Sequence, residues 1–146
     1  MARFFSIEEA RALLPRVERV IRSAVQAKTN QEQCEQALQG LVQRIMIMGG
    51  LLVDRPAVEN LKSVNEASTE KLKAAFEEIG EIGCLVKDLE MGLVDFPTLF
   101  QGEEVYLCWR MDEPDIHFWH GVHEGFGGRK TIDKHFLENH QGRDPN

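Results

Sequence analysis

Gly83-Cys84-Leu85-Val86-Lys87-Asp88-Leu89-Glu90-Met91-Gly92-Leu93-Val94-Asp95-Phe96-Pro97 is the stretch at which the chain changes period. Upstream of it, apolar residues recur every three or four positions, the spacing of a helix with one buried face. From Gly83 onward they recur every second position, the spacing of a strand. The change predicts an α+β fold, helices first and then a small antiparallel sheet. The expected strands are 84–89, 93–100, 104–110 and 116–120. Turns at Glu90-Met91-Gly92, Gln101-Gly102-Glu103 and Met111-Asp112-Glu113-Pro114-Asp115 join them. Each connection is short, so strands adjacent in sequence should pair as a β-meander of three to four strands. Pro97 lacks a backbone donor and belongs at an edge or a bulge.

Outward from that stretch, Ser6 followed by Glu9 fits a capping box. Ala10, Leu13, Leu14, Val17, Val20, Ile21 and Ala24 then give a helix over 6–27 that Pro15 should kink or restart. A second helix, 31–48, takes Asn30 as N-cap and stops at Gly49-Gly50. Lys28-Thr29-Asn30 contains no Gly or Pro, so one unbroken helix is the alternative. Leu51-Leu52-Val53 reads as an apolar connector. Asp54-Arg55-Pro56 opens a third helix that buries Val58, Leu61, Val64, Leu72, Ala75, Phe76 and Ile79 and ends at Gly80 or Gly83. The architecture expected is an antiparallel three-helix bundle, a long helical hairpin plus a third helix, packed on the meander. It forms a single domain over 1–146: helical over 1–82, the meander over 83–120, and a Gly-rich loop with C-terminal tail over 121–146. In that tail a short helix at 131–138 is tacked down by Phe136 and Leu137, and 141–146 frays.

The 146 residues are 42% hydrophobic and 28% charged, an ordinary globular composition. The net charge of −7 argues against a general affinity for nucleic acid or anionic lipid. No apolar run reaches the roughly 18–20 residues of a membrane span. The opening Met1-Ala2-Arg3-Phe4-Phe5-Ser6-Ile7-Glu8-Glu9 has acids where an export signal needs apolar residues, so a cytoplasmic location is expected. Cys34, Cys84 and Cys108 are an odd set and are expected as reduced thiols.

Most of the unusual side chains fall between 84 and 129. His117, His120 and His123 form an H-x-x-H-x-x-H array. On a strand, however, His117 and His120 face opposite ways and cannot share one metal; two histidines with a distant Cys84, Cys108, Asp or Glu stay open as an alternative, and no metal set is assigned. Strand phase puts Tyr106, Cys108 and Arg110 on one face and Val105, Leu107 and Trp109 on the other. The five-residue turn pairs Arg110 near Ile116, Cys108 near Phe118 and Tyr106 near His120. Leu107, Trp109 and Trp119 then form a core face against the helices. Arg110 needs an acid, with Asp88, Asp95, Glu113 and Asp115 as candidates. Asp88 and Asp95 could meet as paired carboxylates, though salt bridges with Lys87 and Arg110 are the commoner outcome. Cys108 lies mid-strand among aromatics, the setting of an inert thiol. Gly125-Phe126-Gly127-Gly128-Arg129-Lys130 can form a nest of N–H groups for an anion, although its spacing matches no phosphate-loop pattern.

Gly83 through Leu89, Gly92-Leu93-Val94-Asp95-Phe96-Pro97, Cys108-Trp109-Arg110, Glu113-Pro114, Trp119-His120 and Gly125-Phe126 through Arg129 together resemble a family of bacterial proteins, domain of unknown function 2203. Phe5-Ser6-Ile7-Glu8-Glu9-Ala10 with Leu13-Leu14-Pro15 resembles its N-terminal signature, and the likeness spans roughly residues 4 to 132. The resemblance implies a small, usually stand-alone bacterial domain with no assigned activity. His120 belongs to its pattern, whereas His117 and His123 do not.

The functional expectation is a surface at the end of the meander and the Gly-rich loop, built from Arg110, Glu113, Trp119, His120, Glu124 and Arg129 and supported by Lys87, Asp88, Asp95 and Cys108. As a binding module it holds a small anionic ligand or a protein partner: Arg110 and Arg129 take the anion and Trp119 supplies an apolar wall. As an enzyme, His120 serves as base, with Asp88, Asp95 or Glu124 as acid or metal ligand, in a metal-dependent or His-based hydrolase. A third reading is a homodimer joined through its helices without a small-molecule site. No catalytic residue, metal or cofactor is assigned.

Overall fold

The computed structural model describes residues 3–49 and 54–142, so the connector Leu51-Leu52-Val53 and the tail beyond Gly142 lie outside the described residues. The chain is α+β, with helices α1 (Ile7–Ile47), α2 (Arg55–Ile82) and α3 (Lys134–Asn139). Its strands are β1 (Leu85–Asp88), β2 (Leu93–Phe100), β3 (Glu103–Arg110), β4 (Phe118–Gly121), β5 (Lys130–Thr131) and β6 (His140–Gln141). The antiparallel sheet runs β1-β2-β3-β4-β5, with β6 added to the end of β2.

The start of α1 follows from the capping box. Glu9 N–H donates to Ser6 Oγ at 3.1 Å, and Ser6 N–H donates to Glu9 Oε1 at 3.2 Å. Pro15 is accommodated inside the helix, and no break falls at 28–30. Instead of capping a new helix, Asn30 accepts a hydrogen bond from Gln26 one turn earlier. Two long helices and one short one therefore replace the expected three-helix bundle. Nothing in Lys28-Thr29-Asn30 forces the backbone out of helical geometry, and propagation is cheaper than a new start. α1 ends at Ile47, and Gly49 just beyond it turns the chain with a φ of +67° that suits glycine. α2 is capped by Asp54, which accepts from Ala57 N–H.

The described residues form two compact units, one from 3–22 with 77–142 and the other those between Ser23 and Phe76. In the second, the buried positions are small: Ala24, Ala27, Cys34, Ser68 and Ala75. Val64 and Phe76, expected in the core, are exposed there, as are Val42, Met46, Ile47 and Met48. The sheet unit holds the large apolar core. Phe5, Val17, Ile21, Ile82, Val94, Phe96, Leu107, Trp109, Ile116 and Phe136 are all buried. Phe5 meets Phe96 edge-on, and Phe136 stacks on both Phe100 and Trp119. Of the two residues expected to hold α3, Phe136 does so, and Leu137 is exposed.

β6 shows that the expected fraying at Gln141 gives way to strand pairing. His140 Nδ1–H donates to Leu137 O, which leaves Nε2 to accept the Ile7 N–H, so the imidazole covers a free donor at the start of α1. Pro97 sits in β2 where β1 has already ended. Its carbonyl points away from β3 and accepts Phe5 N–H at 2.7 Å. The missing N–H lies on that same side, so no β2–β3 ladder bond is lost.

Candidate functional site

The β3–β4 register pairs Cys108 with Phe118 and Tyr106 with His120, as strand phase and turn length predict. β2 places Asp95 directly opposite Cys108 and Leu93 opposite Arg110. Alternation then gathers Asp95, Tyr106, Cys108, Arg110, Phe118 and His120 on one sheet face. The other face carries Val94, Phe96, Leu107, Trp109 and Trp119. Trp119 therefore faces away from Arg110, and with Phe100 and Phe136 it forms an aromatic cluster under Lys130.

At the centre of the polar face lie Asp95, Cys108 and His120, all buried, with their donor atoms mutually within 4.8 Å. His120 Nε2 is 3.0 Å from each Asp95 carboxylate oxygen. Its Nδ1 is 2.8 Å from the Gly121 carbonyl, which can only accept, so Nδ1 carries a hydrogen. Burial pushes the Cys108 thiol up to about 12, and the neighbouring Asp95 charge adds to this more than Arg129 subtracts. It is a thiol in this setting, not a ready nucleophile. Cys84 is likewise pushed up, by burial, to about 11. Tyr106 meets His120 edge-on, with Lys87 over its own ring.

Beside this trio the Gly-rich loop forms a single 3₁₀ turn, Phe126–Gly128. Two N–H groups of the expected nest are occupied within it: Gly128 donates to Gly125 O and Arg129 to Phe126 O. Arg129 then turns back under the sheet. Its Nη2 donates to Glu113 Oε1 at 2.5 Å and to Cys108 O at 3.2 Å, and its guanidinium lies between Phe118 and Phe126, 4.1 and 4.6 Å from their centroids. Burial opposes its charge, but Glu113 and Cys108 together outweigh that and raise its pKa. Glu124 is held by Lys130 and by Gly121 N–H, and both lower its pKa. Its side chain crosses Gly121 and Gly128, where a Cβ would collide with it.

Arg110 is arranged differently. Its guanidinium stands 5.7 Å from Phe126, on a ring already shared with Arg129, and makes no ion pair among the described residues. Its Nε is buried without a hydrogen-bond partner, as is that of Arg129, so what sets Arg110 apart is the lack of an ion pair among the described residues. The candidate acids go elsewhere. Glu113 takes the Arg110 backbone N–H and Arg129, Asp115 pairs with Arg11, and Asp95 holds His120. Asp88 accepts the Met91 N–H and pairs in register with Leu93, so Asp88 and Asp95 do not form a carboxylate couple. His117 and His123 are exposed and take no part. Phe118, which the expected register sets opposite Cys108, is absent from the expected site residues; only the packing of Arg129 on its ring marks it as an arginine platform.

The family model for an uncharacterized conserved protein, DUF2203, matches residues 3–132. No curated protein and no solved structure matches.

Proposed function

The chain belongs to the DUF2203 family of uncharacterized conserved proteins, and from its geometry we propose that it is a binding domain for a small anionic ligand held at Arg110 beside Phe126. The observation that carries this reading is the unanswered charge of Arg110. Two guanidinium groups share the Phe126 ring, and only one carboxylate, Glu113, answers them. The cluster is therefore positive within a chain of net charge −7. A partly buried guanidinium without a carboxylate is costly unless an anion completes it. Its planar fork suits a carboxylate or phosphate bidentately. Arg129 and Glu113 act here as the frame that holds Phe126, not as ligand-binding groups. Trp119, His120 and Glu124 are engaged elsewhere.

The test is calorimetric titration of the full chain with inorganic phosphate, citrate and a nucleoside monophosphate. One saturable site is expected, weakened at least tenfold in Arg110→Gln, whose melting temperature should stay near that of the parent. Equal affinity in the variant, or no binding by any of the three anions, rejects the proposal.

A second reading, self-association through the helical unit, is favoured by Met46 and Ile47, which are 75% and 84% exposed near the end of α1. Light scattering that reports a monomer, unaltered in Ile47→Glu, removes it.

A further inference from the structure

We propose that Asp95, Cys108 and His120 form a binding site for one divalent transition-metal ion, with zinc the class best matched by the donors. One thiol, one imidazole and one carboxylate make a three-ligand set of the kind that leaves a fourth tetrahedral position open. Zinc–ligand bonds of about 2.0–2.3 Å require donor atoms separated by about 3.3–3.8 Å. Here they lie within 4.8 Å of one another, and Nε2 is 3.0 Å from both carboxylate oxygens, so small side-chain rotations bring them to bonding distance.

The imidazole is already oriented for a metal. Its Nδ1–H is given to the Gly121 carbonyl, the outer contact that fixes the tautomer of a metal-ligating histidine and turns Nε2 inward. With Nδ1–H given to Gly121, the Nε2 lone-pair side faces both Asp95 carboxylate oxygens across 3.0 Å, an acceptor set opposite acceptors. Something positive must stand between two such acceptors, either a proton or a metal ion. No Lys or Arg among the described residues pairs with Asp95. A divalent ion bound by the Asp95 carboxylate and the Cys108 thiolate is neutral overall, which is what a buried site demands. The Cys108 proton leaves to solvent on binding.

The backbone makes the set rigid. Asp95 and Cys108 are direct cross-strand partners on β2 and β3, and His120 pairs with Tyr106 one pleat away on β4. Three neighbouring strands each supply one ligand, so the sheet ladder, not a loop, sets the spacing. The inference does not depend on the anion reading, because Arg110 contributes nothing to the donor set.

The experiment uses the full chain, without a histidine tag and stripped with a chelator, titrated with cobalt(II) and then with zinc(II). One equivalent of cobalt should give a thiolate-to-cobalt charge-transfer band together with tetrahedral ligand-field bands, and zinc should abolish both. The bands should disappear in Cys108→Ser and persist in the Cys34→Ser/Cys84→Ser double variant and in Arg110→Gln. A parent protein with no charge-transfer band under excess cobalt overturns the site, whatever the variants do. A band that survives in folded Cys108→Ser, or that vanishes in the folded double variant, overturns it as well. In those cases the trio is a hydrogen-bonded clasp between strands and nothing more.

Discussion

Arg129→Met should unfold the sheet more easily by about 3 kcal/mol. The side chains of the Arg129–Glu113 pair are 11% and 15% exposed, so solvent screens the interaction little. Removing the cation leaves the Glu113 carboxylate partly buried with the Arg110 N–H as its remaining donor. Breaking a buried pair from one side costs about 3–5 kcal/mol, and the residual exposure argues for the lower end. Methionine preserves the stem packing between Phe118 and Phe126. The cation–π contribution, about 0.5–1 kcal/mol per ring, is lost with the charge and overlaps with the first figure. For a chain of this size the change corresponds to a melting shift of roughly 10 °C. Glu113→Gln should cost less, about 1–2 kcal/mol, because Arg129 keeps the Cys108 carbonyl. The double-mutant cycle should return a coupling of at least about 1 kcal/mol. Urea unfolding followed by tryptophan fluorescence suits the measurement, since Trp109 and Trp119 both lie in sheet strands and report that unit. An Arg129→Met variant within about 0.5 kcal/mol of the parent, at the surface-substitution level, would refute the assignment of this arginine as a structural tie.

Gly92→Ala should destabilise by about 2 kcal/mol, because φ is +66° and the new Cβ meets the Met111 Cβ; a chemical-denaturation midpoint equal to the parent's contradicts the turn geometry. With all three cysteines buried and Cys84 and Cys108 pushed up to about 11 and 12, the native metal-free protein should resist a disulfide-exchange reagent at pH 8 and expose three thiols in denaturant. Rapid native labelling of Cys108, located by peptide mapping, would contradict its placement. His140→Ala should cost about 1 kcal/mol by uncovering the Ile7 N–H and removing a ring from Phe136; unaltered thermal unfolding would separate the C-terminal strand from the helix start.

The locally written parts of this fold were legible in the chain. Ser6 and Glu9 announce the start of α1 because a capping box needs only residues three apart. The β3–β4 register follows from a short turn and a two-residue period, and so the sharing of one face by Tyr106, Cys108 and His120 was readable too. The division into two long helices was less so, because Lys28-Thr29-Asn30 is compatible with both a cap and a continuous helix. β5 and β6 were hidden, since two-residue strands have no period of their own and exist only through partners already in place.

Sequence alone determined the class of the fold, the strand phase and which polar residues share a sheet face, because those depend on periodicity and on turns a few residues long. Tertiary structure decided which charges are answered. Glu113 lies only three positions from Arg110 along the chain, yet its carboxylate goes to Arg129, and Asp95 turns to His120, 25 positions away. Competition among several acids for several cations is settled by distances across strands and by what lies buried between them, and neither is encoded in the spacing of residues along the chain.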